Sequence, residues 1–223
     1  MKLIKLVLLT FGFAVLASCS KQNIPATDDQ EMLSATEGLM AKKDESPSLA
    51  RGKKGGGDPT TSAYSTYTIP AGSHYCDQST LASVKTSEMK FMVRFNSSAM
   101  YTTLNPGNQA DINKLWGFSE GYNNQYNSAR FGWAWYNNAL RLYGYVYNKG
   151  VRSHAEVAAI PIGAEVTCSI KVSGSSYIFT ANGTSVILSR GLSTTSASGL
   201  QQYPYFGGDE TAPHLISIEL KSL

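Results

Sequence analysis

The chain of 223 residues is 16% charged and 11% aromatic, and its formal net charge is +3. From Pro59 onward, eleven basic residues are balanced by nine acidic ones, which excludes the strongly basic surface typical of nucleic-acid-binding proteins. All 13 tyrosines lie at or after Tyr64, so we predict one folded domain over residues 63–223, a length usual for a single domain.

The first 18 residues have the pattern of a lipoprotein signal peptide. Two lysines precede an apolar run at 6–16 that is too short to span a bilayer, and small residues then lead to Cys19. We expect cleavage before Cys19 and acylation of this cysteine, which would anchor the protein in the bacterial cell envelope. We favour the outer membrane because Ser20 does not indicate inner-membrane retention. A plain secretory signal cleaved near Ser18 is the alternative, and both take the protein out of the cytoplasm.

Residues 19–62 are predicted to form a flexible linker. The segment is rich in Lys, Asp, Glu, Ser and Gly and contains no aromatic residue. Such a composition cannot bury enough apolar surface to fold. We therefore interpret the Gly55-Gly56-Gly57 run as part of the linker and not as a phosphate-binding loop, which would need a strand before it and a helix after it.

Short apolar stretches separated by turn residues predict an antiparallel all-β domain. The predicted strands are 87–96, 99–104, 112–119, 129–136, 139–147, 151–159, 165–172, 176–181, 184–189 and 214–221. No stretch has a sustained helical period. Many short strands in one domain favour a β-sandwich.

The stretch from Ser128 to Ala158 is predicted to fold as three strands joined by two tight turns. Asn137-Asn138 and Lys149-Gly150 suit two-residue turns, which fix the pairing of the strands. Strict alternation then places large apolar residues on one face: Phe131, Trp133, Trp135, Leu140, Leu142, Ala155 and Val157. A three-residue second turn would instead bury charged side chains, so we favour the two-residue turn.

The opposite face of these three strands is polar and aromatic. Arg130 is predicted to lie opposite Tyr145, which lies opposite His154 on the third strand. We expect this face to bind a ligand through Arg130, Arg141, Tyr143, Tyr145, Tyr147, Arg152, His154 and Glu156.

Three segments are similar to a group of bacterial secreted proteins with a concanavalin A-like lectin/glucanase jelly roll. They are 111–119 (DINKLWGFS), 128–133 (SARFGW) and 203–214 (YPYFGGDETAPH). The resemblance covers the chain from about Thr66 and implies a jelly-roll sandwich with carbohydrate as the partner. Its concave sheet is the usual sugar-binding face of such folds. The Glu-x-Asp-x-x-Glu strand of the glucanases and the three motifs of the alginate-lyase type do not occur, so the resemblance implies no catalytic residue.

Three functions agree with these observations, and the leading one is a non-catalytic carbohydrate-binding lipoprotein. Tyrosine rings at strand spacing can stack on pyranoses, although strands also favour tyrosine for packing alone. The second is a polysaccharide lyase acting by β-elimination on a uronic-acid polymer, with Arg130, Tyr143, Tyr145 and His154 as its site. In that arrangement Arg130 would neutralise the carboxylate, although a simple ion pair between Glu156 and Arg141 is an alternative use of this face. The third function is a structural envelope protein.

The sequence predicts no cofactor and no metal site. Cys76 and Cys168 are too few to bind zinc alone, the three histidines are scattered, and a disulfide between the two cysteines is left open. Gly207-Gly208-Asp209-Glu210 could suggest calcium, but we interpret it as a turn that enters the last strand. Glycoside hydrolysis needs two facing carboxylates, and the polar face offers Glu156 alone.

Overall fold

The structure, a computed structural model, describes residues 63–223 and is built almost entirely from β-strands. In chain order the strands are β1 (Ser65–Ile69), β2 (Ser83–Thr86), β3 (Glu88–Phe95), β4 (Asn113–Ser119), β5 (Asn127–Tyr136), β6 (Ala139–Asn148), β7 (Val151–Ile160), β8 (Glu165–Ser173), β9 (Ser176–Ala181), β10 (Thr184–Ser189), β11 (Ala197–Gln202) and β12 (Ile216–Ser222). The helical segments within this range are two 3₁₀ turns, Ser97–Ala99 and Pro106–Asn108. Residues 63–223 contain no helix that is long and apolar enough to cross a membrane.

The strands form two antiparallel six-stranded sheets. One has the order β1-β12-β3-β8-β9-β10, and the other, here called the site sheet, has the order β2-β11-β4-β5-β6-β7. The predicted antiparallel β-sandwich is therefore confirmed. The signal peptide, Cys19 and the linker, which we predict over residues 1–62, lie outside the described residues.

The core lies between the two sheets and is dominated by aromatic rings. Phe91 of β3 and Phe179 of β9 contact Phe131 of β5 edge-on, with ring centroids 5.7 and 5.4 Å away. Phe95 packs on Trp133, with centroids 5.3 Å apart. All five side chains are buried, so the face of β5 predicted to be apolar does form the core. Burial of such rings is the largest favourable contribution to folding.

The predicted pairing is confirmed along the whole β5–β6 hairpin and between β6 and β7 from Asn148–Val151 to Tyr143–Glu156; beyond Tyr143 the β6–β7 pairing is shifted by one residue, so the predicted pairing of Leu142 with Val157 is wrong. Asn137 and Asn138 have φ of 52° and 53°, and Lys149 and Gly150 have φ of 50° and 81°, as two-residue primed turns require. Tyr136 pairs with Ala139 at one end of the hairpin and Asn127 with Asn148 at the other. The sequence did not indicate a bulge between Leu142 and Tyr143, which leaves Val157 as an extra residue in β7.

The predicted strand at 99–104 is wrong. Thr103 donates from its hydroxyl to the carbonyl of Asn105, and its backbone N–H donates to the side chain of Gln109. These local bonds use groups that a strand ladder would need. The side chain of Leu104 is 94% exposed, so it does not pack in a core. The prediction also missed β1, β2 and β11, whose apolar patterns are short.

The cysteines and the Gly207–Glu210 turn have structural roles. Cys76 and Cys168 are buried free thiols, so the disulfide left open by the sequence is absent. The carboxylate of Glu210 accepts hydrogen bonds from the backbone N–H groups of Leu104 and Asn105 at 2.7 and 2.8 Å, which ties this turn to the 99–108 loop. Residues 63–223 contain no group of three or more His, Cys, Asp or Glu side chains arranged to hold a metal.

Candidate functional site

The polar face of the site sheet consists of side chains that project away from the core. Residues opposite one another in antiparallel strands point to the same side of the sheet. From β4 to β7, three such rows are Lys114-Gly132-Tyr143-Glu156, Gly117-Arg130-Tyr145-His154 and Ser119-Ser128-Tyr147-Arg152. All eight residues predicted to bind a ligand lie on β5, β6 and β7, and Arg130, Tyr145 and His154 share the middle row as predicted.

Arg130 forms the floor of this face and is buried. Its side chain is 1% exposed, and its three guanidinium nitrogens have no hydrogen-bond partner among residues 63–223. Gly117 makes room for it, because a Cβ at Gly117 would lie 2.8 Å from Cγ of Arg130. The guanidinium carbon lies 5.6 Å from the ring centroid of Tyr145, a cation–π distance. The sequence predicted the position of Arg130 on this face but not its burial.

Two further buried groups beside Arg130 have unused hydrogen-bonding capacity. The hydroxyls of Tyr145 and Ser128 have no partner within residues 63–223, and their residues are 2% and 0% exposed. Buried polar groups are normally paired, because leaving one unpaired costs about 1–3 kcal/mol. Three such groups on adjoining positions are therefore unusual for a region that only packs. A ligand with several acceptor atoms would satisfy them together.

Lys114 adds a second buried cation that the sequence analysis did not assign. Its side chain is 2% exposed, and Nζ lies 5.5 Å from the ring centroid of Tyr145 and 5.1 Å from that of Tyr205. Backbone hydrogen bonds between Lys114 and Tyr205, of 2.8 and 3.0 Å, bring Tyr205 beside β4. Lys114 and Arg130 therefore both border the Tyr145 ring.

The face continues past Lys114 with an aromatic group from the N-terminal part of the domain. His74 stacks on Tyr205, with centroids 5.2 Å apart and the rings 11° from parallel. Nδ1 of His74 lies 2.7 Å from the carbonyl oxygen of Phe206, which can only accept, so Nδ1 carries the proton. Tyr75 meets Tyr205 edge-on, also at 5.2 Å. Neither His74 nor Tyr75 could be predicted at the site from the sequence, because their contacts with Tyr205 join distant parts of the chain.

The outer rim of the face, on β6 and β7, is more exposed and partly self-paired. Nη1 of Arg141 donates to both carboxylate oxygens of Glu156, at 2.8 and 3.1 Å, and Nε donates to the carbonyl of Tyr136. This is the ion pair that the sequence offered as an alternative to ligand binding. The predicted ligand contacts of Arg141 and Glu156 would therefore compete with it. Tyr147 and Arg152 are half-buried in the third row.

Two rim residues have shifted pKa values. Desolvation lowers the pKa of His154 below 6.5, and the positive charge of Arg152 lowers it further, so the imidazole is neutral at pH 7. Burial raises the pKa of Tyr143, with the charge of Glu156 as the next cause, so this phenol keeps its proton. Tyr143 and His154 are in edge contact, with centroids 6.1 Å apart. At neutral pH the rim thus offers one hydroxyl donor and one neutral imidazole.

A second buried arginine, directly after β10, has a full set of hydrogen-bond acceptors. Arg190 is 3% exposed and donates to both carboxylate oxygens of Glu120 at 2.6 Å. It also donates to the backbone carbonyls of Gly174 and Ser196. The hydroxyl of Tyr177 donates to Glu120 as well. Arg190 thus has the acceptors that Arg130 lacks within residues 63–223.

Comparison with known proteins gives the fold. No family model and no curated protein sequence matches the chain. The alginate lyase AlyC3 superposes over 72% of this chain and 74% of its own, with 11% identity and a TM-score of 0.50. A family 16 endo-glucanase from Bacteroides ovatus (8% identity, 75% and 84% covered, TM-score 0.45) and the carbohydrate-binding module CBM66 from Bacillus subtilis (10%, 64% and 77%, 0.34) are also similar. The fold is a concanavalin A-like jelly roll. This confirms the fold that the sequence resemblance implied, while function must be argued from the site.

Proposed function

We propose that this protein is a lipid-anchored, non-catalytic carbohydrate-binding protein whose polar face binds an acidic polysaccharide. The observation that carries the proposal is Arg130, a buried guanidinium with no hydrogen-bond acceptor among residues 63–223. A planar guanidinium forms paired hydrogen bonds with a carboxylate, which supplies both the charge and the acceptors that Arg130 lacks. A uronic-acid unit carries that carboxylate on a pyranose ring.

The surroundings of Arg130 suit the rest of such a sugar. Tyr143 on β6 has a half-buried aromatic ring, and Tyr143 and Tyr145 both have hydroxyl groups, which together match the C–H and O–H groups of a pyranose. Lys114 adds a second positive charge. A largely apolar site with a few convergent polar groups is the usual form of a ligand-binding site. The similarity to an alginate lyase adds support for a carbohydrate ligand.

Binding to matched polysaccharides tests this proposal. We expect calorimetry to detect binding of the domain to alginate or polygalacturonate, and much weaker binding to the same polymer after its carboxyl groups are reduced to alcohols. The double substitution Tyr143→Ala and Tyr145→Ala should abolish binding. Tyr64→Ala is the matched control, because Tyr64 directly precedes β1 in the other sheet, and it should not change the affinity. If no acidic or neutral polysaccharide binds, the proposal fails and a structural role in the envelope is favoured.

A polysaccharide lyase is the second candidate, and the middle row favours it. His154 is neutral at pH 7, so its imidazole can accept a proton. Its strand, β7, is separated by β6 from β5, the strand of Arg130, which places the two outer strands about 10 Å apart. β-Elimination would use Arg130 for the carboxylate, His154 or a tyrosine for the C5 proton, and Tyr143 or Tyr145 for the leaving oxygen. An unsaturated uronate absorbs in the near ultraviolet. Rising absorbance with an acidic polysaccharide, lost in His154→Ala, would replace the non-catalytic proposal.

The lipid anchor is part of the proposal, and it rests on Cys19 in the sequence. Acyl chains on this cysteine would hold the protein at the envelope, with residues 20–62 as a tether between membrane and domain. We expect Cys19→Ala to move the protein from the detergent phase to the aqueous phase on partitioning. Cys76→Ala is the control, because this cysteine is a buried residue of the domain. Detergent partitioning that survives Cys19→Ala would refute the anchor.

A further inference from the structure

The connection between β4 and β5, residues 120–126, is fastened across the end of the site sheet and is here called the wall loop. The N–H of Gly121 donates to the carbonyl of Ser198 at 2.9 Å, which holds the loop to β11 on one side. The carbonyl of Tyr126 accepts from the N–H of Gly150 at 2.9 Å, which holds it to the β6–β7 turn on the other side. The wall loop therefore spans the sheet from β11 to β7.

The wall loop also reaches onto the polar face. The side chain of Asn124 donates to Oε1 of Gln202 at 3.1 Å. Gln202 is 6% exposed and pairs with Gly117, so it belongs to the row that contains Arg130. The loop thus forms one boundary of the site described above.

Tight backbone packing fixes the wall loop in place. Gly121 has φ of +84°, a conformation that suits glycine. Gly199 forms a bridge with Gly121, and a Cβ at Gly199 would lie 2.2 Å from the carbonyl oxygen of Ser119 and 2.7 Å from the nitrogen of Gly121. Because neither Gly121 nor Gly199 has a side chain, the backbone of the wall loop can lie directly against the backbone of β11. The adjacent residue Glu120 is held by Arg190.

This fixed loop presents two tyrosines to solvent. The side chain of Tyr122 is 84% exposed and that of Tyr126 is 53% exposed. Neither ring packs against another aromatic ring of residues 63–223. Large aromatic side chains held in water by a rigid loop contribute little to folding and are typical of binding surfaces.

We infer that Tyr122 is an aromatic platform for a more distant unit of the polysaccharide chain, outside the units that contact Arg130. The inference rests on the proposed function and makes the ligand a polymer instead of a short sugar. Pyranose faces stack on exposed aromatic rings, and the wall loop places Tyr122 at the edge of the face, where a bound chain would leave it. Tyr126, nearer the β6–β7 turn, would line the same exit.

The dependence of affinity on ligand length tests the inference. We would measure dissociation constants for oligogalacturonates from disaccharide to decasaccharide, with wild-type protein and with Tyr122→Ala. For long oligomers, Tyr122→Ala should weaken binding about 3–10-fold, the range expected for one aromatic stack. For the disaccharide it should change nothing, because a short ligand would not extend beyond the region of Arg130.

Two further variants serve as comparisons. Tyr64→Ala removes a tyrosine that lies beside β1 of the other sheet and should leave affinity unchanged at every length. Asn124→Ala releases the wall loop from Gln202 and should reduce long-oligomer affinity in the same direction as Tyr122→Ala. An effect of Tyr122→Ala that is absent or equal at all lengths overturns the inference while leaving the proposed function intact. Failure of the wild-type protein to bind any oligomer overturns the proposed function itself.

Discussion

Replacement of Arg130 by methionine should stabilise the domain and at the same time weaken its binding of acidic polysaccharide. Methionine keeps an unbranched side chain in the space above Gly117 but removes the charge. The two effects have opposite signs because the buried guanidinium has no acceptor among residues 63–223 until a ligand supplies one. Sites that are prepared for a charged ligand commonly cost stability in the free protein.

The size of the stability change follows from the burial of Arg130. Removing a charged group from water costs several kcal/mol even after relaxation, and the cation–π contact with Tyr145 returns about 2 kcal/mol. The net gain from Arg130→Met should be about 1–3 kcal/mol, which raises the melting temperature of a domain of this size by about 3–9 °C. Loss of a charge-assisted hydrogen bond to the carboxylate should weaken binding by about 10–100-fold.

Arg190→Met is the matched control, because Arg190 is also buried but fully paired. Its removal leaves the buried Glu120 carboxylate without its charged partner and should destabilise the domain by about 3–5 kcal/mol. Differential scanning calorimetry of both variants and the wild type, without ligand, measures the two changes. Calorimetric titration with polygalacturonate measures the affinity. A melting temperature that falls in Arg130→Met, or an affinity that does not change, would show that Arg130 is not an unpaired ligand-binding group.

Three other predictions concern the site and the buried thiols. Gly117→Ala should lower the free energy of unfolding in urea by about 1–3 kcal/mol, because its new methyl group would lie 2.1 Å from the carbonyl oxygen of Ala129. An NMR titration should give His154 a pKa below 6.5, and stability should fall as the pH drops below 6.5, because the unfolded chain takes up the proton first; a pKa above 6.5 contradicts this. Burial raises the pKa of the Cys76 thiol to about 11 and that of Cys168 as well, so both should resist a thiol reagent until the protein unfolds.

Local sequence determines the hairpins of the site sheet, which explains why their pairing could be predicted. Asn137-Asn138 and Lys149-Gly150 tolerate positive φ, and strict alternation of apolar and polar residues then assigns each side chain to a face. Arg130, Tyr145 and His154 could therefore be placed in one row. The burial of Arg130 and Tyr145 could not be predicted, because it depends on neighbours from β4 and β11, which are distant in sequence.

Long-range pairing accounts for the residues that the sequence analysis missed. Lys114 and Tyr205 meet through a short backbone bridge between segments that are about 90 residues apart, and Tyr75 joins them through another. Isolated bridges have too few residues to show an alternating pattern. The bulge opposite Tyr143 could not be predicted either, because one extra residue in β7 does not interrupt the pattern of polar and apolar residues along that strand. The 99–104 error arose because polar side chains there bond to their own backbone.

The position of β12 between β1 and β3 has a consequence for the order in which the protein folds. The first strand of the sheet pairs with the last, through partners such as Tyr67 and Ile218, so no neighbour for β1 exists until nearly the whole domain has been synthesised. Closing a loop of this length is slow, and a sheet rich in such contacts folds on the millisecond-to-second scale. Until β12 has been synthesised, β1 has no pairing partner and one edge of β3 is unpaired. The edge of this sheet formed by β1 can therefore be completed only after β12 has been synthesised, whereas the pairs β3–β8, β8–β9 and β9–β10 do not depend on β12.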